Sequence, residues 1–150
     1  MQMKPGSFMD RAFAEAEEAA ARGEVPIGAV LVRGGAVVAS AGNRTRELSD
    51  PTAHAEMLAI REACLLAGSE RLPDADLYVT LEPCPMCAAA ISFARIRRLY
   101  FGAADEKGGA VTSGGRYFSQ PTCHHAPDIY PGIGEARSAQ MLRGFFGERR

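Results

Sequence analysis

Two short stretches carry residue types and spacings that can do chemistry: "PTAHAEM" at residues 51–57 and "EPCPMC" at residues 82–87. Cys84 and Cys87 form a Cys-x-x-Cys pair. At a helix start this spacing lets both sulfurs face one point at Zn–S distances of about 2.3 Å. Pro83 and Pro85 flank Cys84, fixing its backbone and putting a proline in the first helical turn, where no amide hydrogen is required. The thiolates would sit at the positive end of that helix, which lowers a thiol's pKa and favours the metal-bound anion. Only one Cys-x-x-Cys is present, so a four-cysteine cage lacks its second pair, and His54 is the natural third ligand. Three protein ligands leave one zinc position open for water, whose pKa the ion lowers toward about 7, giving a nucleophile at neutral pH. Glu56 lies two residues beyond His54, where it can reach the cavity beside the ion and shuttle protons as a general acid and base. Hydrolytic deamination of an amidine-like carbon in a nucleobase needs these parts. A purely structural zinc site, or a buried cysteine pair with an unrelated histidine, is the blander alternative.

The elements that must position these residues follow from periodicity. Phe8, Ala12, Phe13, Ala16 and Ala19 recur at helical spacing, so Phe8–Arg22 reads as an amphipathic helix stopped by Gly23. Two β-branched runs, Ile27–Val32 and Ala36–Ala41, flank Arg33-Gly34-Gly35 and read as a hairpin. A polar loop, "NRTRELSDPT", then delivers the chain to a helix over Ala53–Ala67, ended by Gly68. A buried strand over Asp76–Leu81 is followed at once by the helix "PMCAAAISFAR" and a strand over Arg98–Ala103, an order that suggests a parallel, right-handed crossover. Both ligand sets therefore fall at helix starts on one end of a sheet. Gly108–Pro127 has no clear period and reads as an irregular insertion, "APDIYPG" as a short edge strand, and "GEARSAQMLRGFFGERR" as a closing helix.

The bulk properties fit one domain over residues 1–150, with 47% hydrophobic residues to build a core. Seventeen basic residues against eighteen acidic exclude global attraction to nucleic acid, so any RNA contact must come from local patches. The sequence shows neither a signal-like apolar run at its start nor the roughly 20 apolar residues of a membrane span, so the expectation is a soluble, cytoplasmic protein without membrane contact. Four cysteines then belong in a reducing compartment, where a close pair binds metal more often than it forms a disulfide. Cys64 sits in an apolar helix and reads as core, whereas Cys123, His124 and His125 are adjacent and lack a distant fourth ligand, a poor cage for a second metal. Arg95, Arg97 and Arg98 fit a solvated helix end, or a contact with RNA or a partner subunit.

With "HAE" followed by "PCPMC", the sequence resembles the zinc nucleobase deaminases. The segments "EVPIGAVLV", "GNR", "DPTAHAEM", "LYVTLEPCPMCAAAI", "RIRRLYFGA", "KGGA" and "FFGERR" extend the likeness over nearly the whole chain, to the bacterial tRNA adenosine deaminases, a type case of that chemistry. The resemblance implies a cytidine-deaminase-like α/β fold, a three-layer α/β/α sandwich around a five-stranded mixed sheet. It implies one zinc per chain on His54, Cys84 and Cys87, with Glu56 as the proton shuttle. Asn43 matches the asparagine that hydrogen-bonds the nucleoside, and backbone groups around Ala55 and Cys84 would position the base and its water. Asp105, Lys107, Phe146 and Arg150 match positions that touch RNA around a flipped base. The implied activity is conversion of adenosine to inosine at the wobble position of a tRNA anticodon, by a homodimer whose second subunit helps to bind the anticodon stem-loop. Val111–Pro127 departs from the commoner, more apolar pattern, which bears on RNA choice and not on reaction class. The competing readings are a deaminase of free guanine or cytosine and, against the presence of Glu56, a non-catalytic zinc-stabilised RNA-binding subunit.

Overall fold

Alternating apolar residues along the strands give the sheet two buried faces. The computed structural model describes residues 5–148. Helix α1 spans Pro5–Ala21, and strands β1 (Gly28–Arg33) and β2 (Ala36–Gly42) form the hairpin. Helix α2 (Ala55–Ala67), strand β3 (Ala75–Leu81), helix α3 (Pro85–Phe93) and strand β4 (Arg98–Ala103) follow, then strand β5 (Asp128–Tyr130) and helix α4 (Glu135–Glu148). The sheet order is β2-β1-β3-β4-β5. β1 is antiparallel to β2 and to β3, while β3–β4 and β4–β5 are parallel, so the sheet is five-stranded and mixed as expected.

Leu31, Leu77, Val79, Leu99 and Phe101 point to one face and pack with Ala55, Ala59, Ile60 and Ala63 of α2 and Ile91 of α3. Val30, Val32 and Tyr78 point to the other, against Phe8, Met9, Ala12 and Phe13 of α1, with Met141 of α4 beside them. Gly28 lets α1 lie directly on the sheet: a Cβ there would collide with the Ala12 carbonyl oxygen and stand 2.7 Å from the Ala16 nitrogen. The three-residue edge strand β5 is held by a cross-strand tyrosine stack. Tyr78, Tyr100 and Tyr130 are in register, with ring centroids 4.3 and 4.7 Å apart. Among the described residues no helix is long and apolar enough to cross a membrane.

Several boundaries differ from the sequence expectation. α2 begins at Ala55, with His54 as its extended N-cap, instead of at Ala53. α3 ends at Phe93, not Arg95: Arg95 takes a left-handed conformation (φ 61°), and the Ile96 amide reaches back to the Ile91 carbonyl, which turns Ile96 fully into the core. α1 starts at Pro5, ahead of Phe8. The insertion at 108–127 is irregular except for one 3₁₀ turn, Tyr117–Ser119.

Candidate active site

The three sequence-predicted ligands converge where α2 and α3 begin. Asp50 shapes the approach to the first: its Oδ1 accepts the Thr52 amide at 2.8 Å and the Thr52 hydroxyl at 2.7 Å, a tight turn that delivers His54 to the N-cap position. Cys84 is the N-cap of α3, with Pro85 in the first turn. His54 Nδ1 lies 3.6 Å from Sγ of Cys84 and 3.6 Å from Sγ of Cys87. A tetrahedral zinc at about 2.3 Å from sulfur and 2.0–2.1 Å from nitrogen separates two such ligand atoms by about 3.6 Å, so the donor set has the dimensions the ion requires. It is the one metal-holding group of three or more ligands among the described residues.

Protonation points the same way. The Cys84 thiol is held down to about 4, chiefly by the hydrogen bond from the Cys87 thiol and also by His54, against the opposing effect of burial. Cys87 is pushed up because its proton is committed to Cys84 and because it is buried. His54 is raised by its hydrogen bond to Cys84, with burial opposing and the Glu56 charge assisting. Two sulfurs and an imidazole competing for protons in one spot form a donor set from which a divalent cation displaces those protons.

Glu56, in the first turn of α2, is 4% exposed, so it is not the solvated helix-start acid that a bland reading allows. Burial pushes its carboxyl up from the ordinary glutamate value, with the Cys84 charge adding and its own backbone amide and His54 opposing. Its Oε1 has no hydrogen-bond partner among the described residues. Glu56 lines a cavity of about 250 Å³ together with His54, Cys84, Ile27, Leu81 and Asp105. A buried, unpartnered carboxylate oxygen in a cavity beside three metal ligands fits a polar occupant that brings its own protons.

A family model for the cytidine and deoxycytidylate deaminase zinc-binding region matches residues 3–103. The chain belongs to this deaminase family. It is 69% identical over 143 residues to the tRNA-specific adenosine deaminase of Agrobacterium fabrum, covering 95% of this chain and 94% of the relative. A solved structure from studies of A-to-I editing by tRNA:A34 deaminases at the wobble position of transfer RNA superposes with a TM-score of 0.90 at 69% identity, covering 91% of this chain and 99% of the other. The guanine deaminase of Bacillus subtilis superposes with a TM-score of 0.68 at 34% identity, covering 85% of each chain.

Other expected site residues of this deaminase take distinct positions. Asn43 is 5% exposed, and its Oδ1 accepts the Ala55 amide at 2.8 Å at the start of α2. The Ala55 amide is therefore engaged within the protein and is not free for a substrate. Asp105 lines both the 250 Å³ cavity and a neighbouring groove of about 540 Å³, whose walls include Lys107, Arg143 and Phe146. Arg150 lies outside the described residues. Arg98 opens β4, with Arg97 just before it, at the far end of the sheet from the site, and Arg97 is paired with Asp76 through two hydrogen bonds of 3.1 and 3.0 Å. Arg97 is thus a solvated cation, its side chain 46% exposed despite the ion pair, which agrees with the solvated reading of this basic run and sets it apart from the candidate site. Cys123 and His125 do not join a metal group among the described residues. Cys123 donates to the His125 carbonyl at 3.1 Å and His125 Nε2 donates to the Ile96 carbonyl at 2.7 Å, which ties the insertion to the end of α3. Cys64 packs against the core as expected.

Sequence reasoning passed over two buried carboxylates that organise the surrounding loops. Glu24 accepts the Arg46 and Glu47 amides at 3.1 and 2.8 Å, holding the loop between β2 and α2. Glu82, next but one before Cys84, accepts hydrogen bonds from the 105–113 segment. Burial raises the Glu82 carboxyl, but the hydrogen bonds from Asp105, Val111 and Ser113 more than reverse this, leaving it below the ordinary glutamate value. The signal available for both was an acid beside a proline-bearing apolar run, "GEVPIGAV" and "TLEPC".

Proposed function

We propose that this zinc deaminase converts adenosine to inosine at the wobble position of a tRNA anticodon, with residues 1–150 acting as one domain in the cytoplasm. The observation that carries this choice over a free-base substrate is the pairing of the small cavity with the larger groove, which share Ile27, Leu81 and Asp105 as walls. A free base would use the cavity alone. A flipped nucleotide in a strand needs room for its neighbours, and the groove supplies an aromatic face in Phe146 and cations in Lys107 and Arg143.

Zinc held by His54, Cys84 and Cys87 supplies the Lewis acidity that makes a water nucleophilic at neutral pH. Glu56 accepts the proton of the attacking water, passes it to the ring nitrogen beside C6, and carries the proton of the new hydroxyl to the amino group, which leaves as ammonia. Burial raises its proton affinity, which favours a group that must take a proton as well as return it. Asn43 uses Oδ1 to hold the Ala55 turn and offers its Nδ2 to the nucleoside. Asp105, Lys107, Phe146 and, beyond the described residues, Arg150 contact the nucleotides that flank the flipped base.

A homodimer fits the apolar surface that remains. Leu65 and Leu66 near the end of α2 and Phe93 at the end of α3 are exposed large hydrophobic side chains on helices of one layer. A charge in place of Leu66 is expected to yield monomers in light scattering.

Inosine formation and ammonia release from an anticodon stem-loop, compared with adenosine, adenine, guanine and cytosine, test the assignment. The stem-loop is expected to react far faster than any free base, with added salt weakening its binding. Efficient turnover of guanine or cytosine without inosine in RNA would overturn the tRNA assignment and leave the zinc chemistry standing.

A further inference from the structure

Glu82 is 2% exposed and sits between the metal turn and the rim of the pocket. Its Oε1 accepts the Asp105 amide at 2.8 Å and the Ser113 hydroxyl at 2.9 Å. Its Oε2 accepts three successive amides, those of Val111, Thr112 and Ser113, each at 2.9 Å. The neighbouring Pro83 carbonyl accepts the Ala110 amide at 2.9 Å, so two consecutive residues just before Cys84 hold the same loop. Within that loop Asp105 sets the local shape: its Oδ1 accepts the Lys107 and Gly108 amides at 3.2 and 3.0 Å, and its carbonyl accepts the Gly109 amide at 2.8 Å. Shape comes from Asp105 and placement from Glu82. Gly109 packs against the carboxylate so closely that a Cβ there would collide with Glu82 Cδ and lie 2.6 Å from the Asp105 carbonyl oxygen.

We infer that Glu82 is a positioning residue for the reaction: by gripping residues 105–113 it sets the distance between the Cys84 turn and the pocket rim, and so the seating of the base against Glu56. Asp105 and Gly108 line the cavity together with His54 and Glu56. A rim free to move would leave the metal ligands intact but would have to be ordered each time a base binds, a cost that weakens ground-state and transition-state binding alike. The inference rests on the deaminase reading for its kinetic consequence only; the grip itself is independent of substrate.

Glu82→Gln keeps the side chain's volume but offers one acceptor oxygen. With that oxygen on the three amides of 111–113, the NH2 group faces the Asp105 amide donor to donor. Hydrogen exchange by mass spectrometry is expected to quicken across 105–113 by about tenfold, the scale of an orphaned buried amide, with α2 and α3 unchanged. Zinc should remain at one per chain, while KM for the stem-loop rises about tenfold and kcat falls by less than about threefold. Gly109→Ala displaces the grip from the opposite side with the carboxylate retained, and should raise KM in the same way; if the Gln variant fails to fold, this variant decides. Unchanged exchange at 105–113, faster exchange with an unaltered KM, or a KM change only in step with zinc loss would each overturn the inference. If the unsubstituted enzyme forms no inosine in RNA, the tRNA assignment fails by itself, and the same comparison is made on the base or nucleoside that it does turn over.

Discussion

The Asn43 side chain holds the start of α2 through its Oδ1 and is proposed to donate to the nucleoside through its Nδ2, and substitutions can separate the two. Its Oδ1 accepts the Ala55 amide at 2.8 Å, and Ala55 is fully buried, so water cannot replace the lost acceptor. Asn43→Ala leaves that amide unsatisfied at a helix start, a cost of about 1–3 kcal/mol. For a chain of this size each kcal/mol moves Tm by about 2–4 °C, so Tm should fall by about 2–12 °C. Asn43→Asp keeps an acceptor oxygen, which the positive end of α2 favours, and the Arg22 guanidinium that donates to the Asn43 carbonyl at 3.1 Å adds nearby positive charge. Its stability loss should stay under about 1 kcal/mol. The carboxylate has no hydrogen to donate to a nucleoside, however, so kcat/KM for inosine formation should fall roughly tenfold or more. Thermal melting of the zinc-loaded protein and steady-state kinetics on an anticodon stem-loop give both quantities. An Ala variant that melts with the unsubstituted protein would refute the helix-start role, and an Asp variant of undiminished kcat/KM would refute the donor role.

Glu56→Gln should lower kcat by about 10²–10⁴ with zinc content and RNA affinity retained, as read by single-turnover kinetics and metal analysis; near-normal turnover would move the proton shuttle elsewhere. Stripping the metal with a chelator should lower Tm by at least about 5 °C, since the ion joins the starts of α2 and α3, and a stripped protein that melts unchanged would contradict that. Phe146 is 53% exposed, so Phe146→Ala should leave Tm nearly unchanged but raise KM for the stem-loop about tenfold through lost stacking, whereas an equal effect on free adenosine would argue against a flanking-base contact. The folded Glu24 carboxyl lies below its ordinary value of 4.5, so its stabilising effect is present above that pH and lost as pH falls through the folded value; urea unfolding between pH 7 and 3 should show this slope, and Glu24→Gln should flatten it.

The metal centre was legible in the sequence because its determinants are local: Cys84 and Cys87 share one turn, and His54 and Glu56 another. The crossover from β3 through α3 to β4 was legible for a similar reason, since a buried run, a proline-started helix and a second buried run follow one another without a gap. What escaped depends on partners distant along the chain. Glu24 and Glu82 look like ordinary turn acids until loops 22 and 29 residues away close over them. The Asp76 partner of the exposed Arg97 likewise lies 21 residues earlier, on the neighbouring parallel strand. The end of α3 was misplaced because Ala94 and Arg95 suit a helix, and burial of Ile96 overrides that local preference.

Three residues, Ile27, Leu81 and Asp105, belong to both the cavity beside Glu56 and the adjoining groove. A mutation at any of them changes two recognition events at once, so its effects on the reacting base and on the neighbouring bases cannot be tuned separately. Double substitutions that pair one of these walls with a residue of either compartment should therefore depart from additivity, whereas pairs such as Glu56 with Arg143, one in each compartment and neither shared, should add. For an evolving or engineered deaminase this shared partition is a constraint: enlarging the cavity for a different base reshapes the groove for RNA. A change of substrate class is then reached by replacing these residues together, not one at a time.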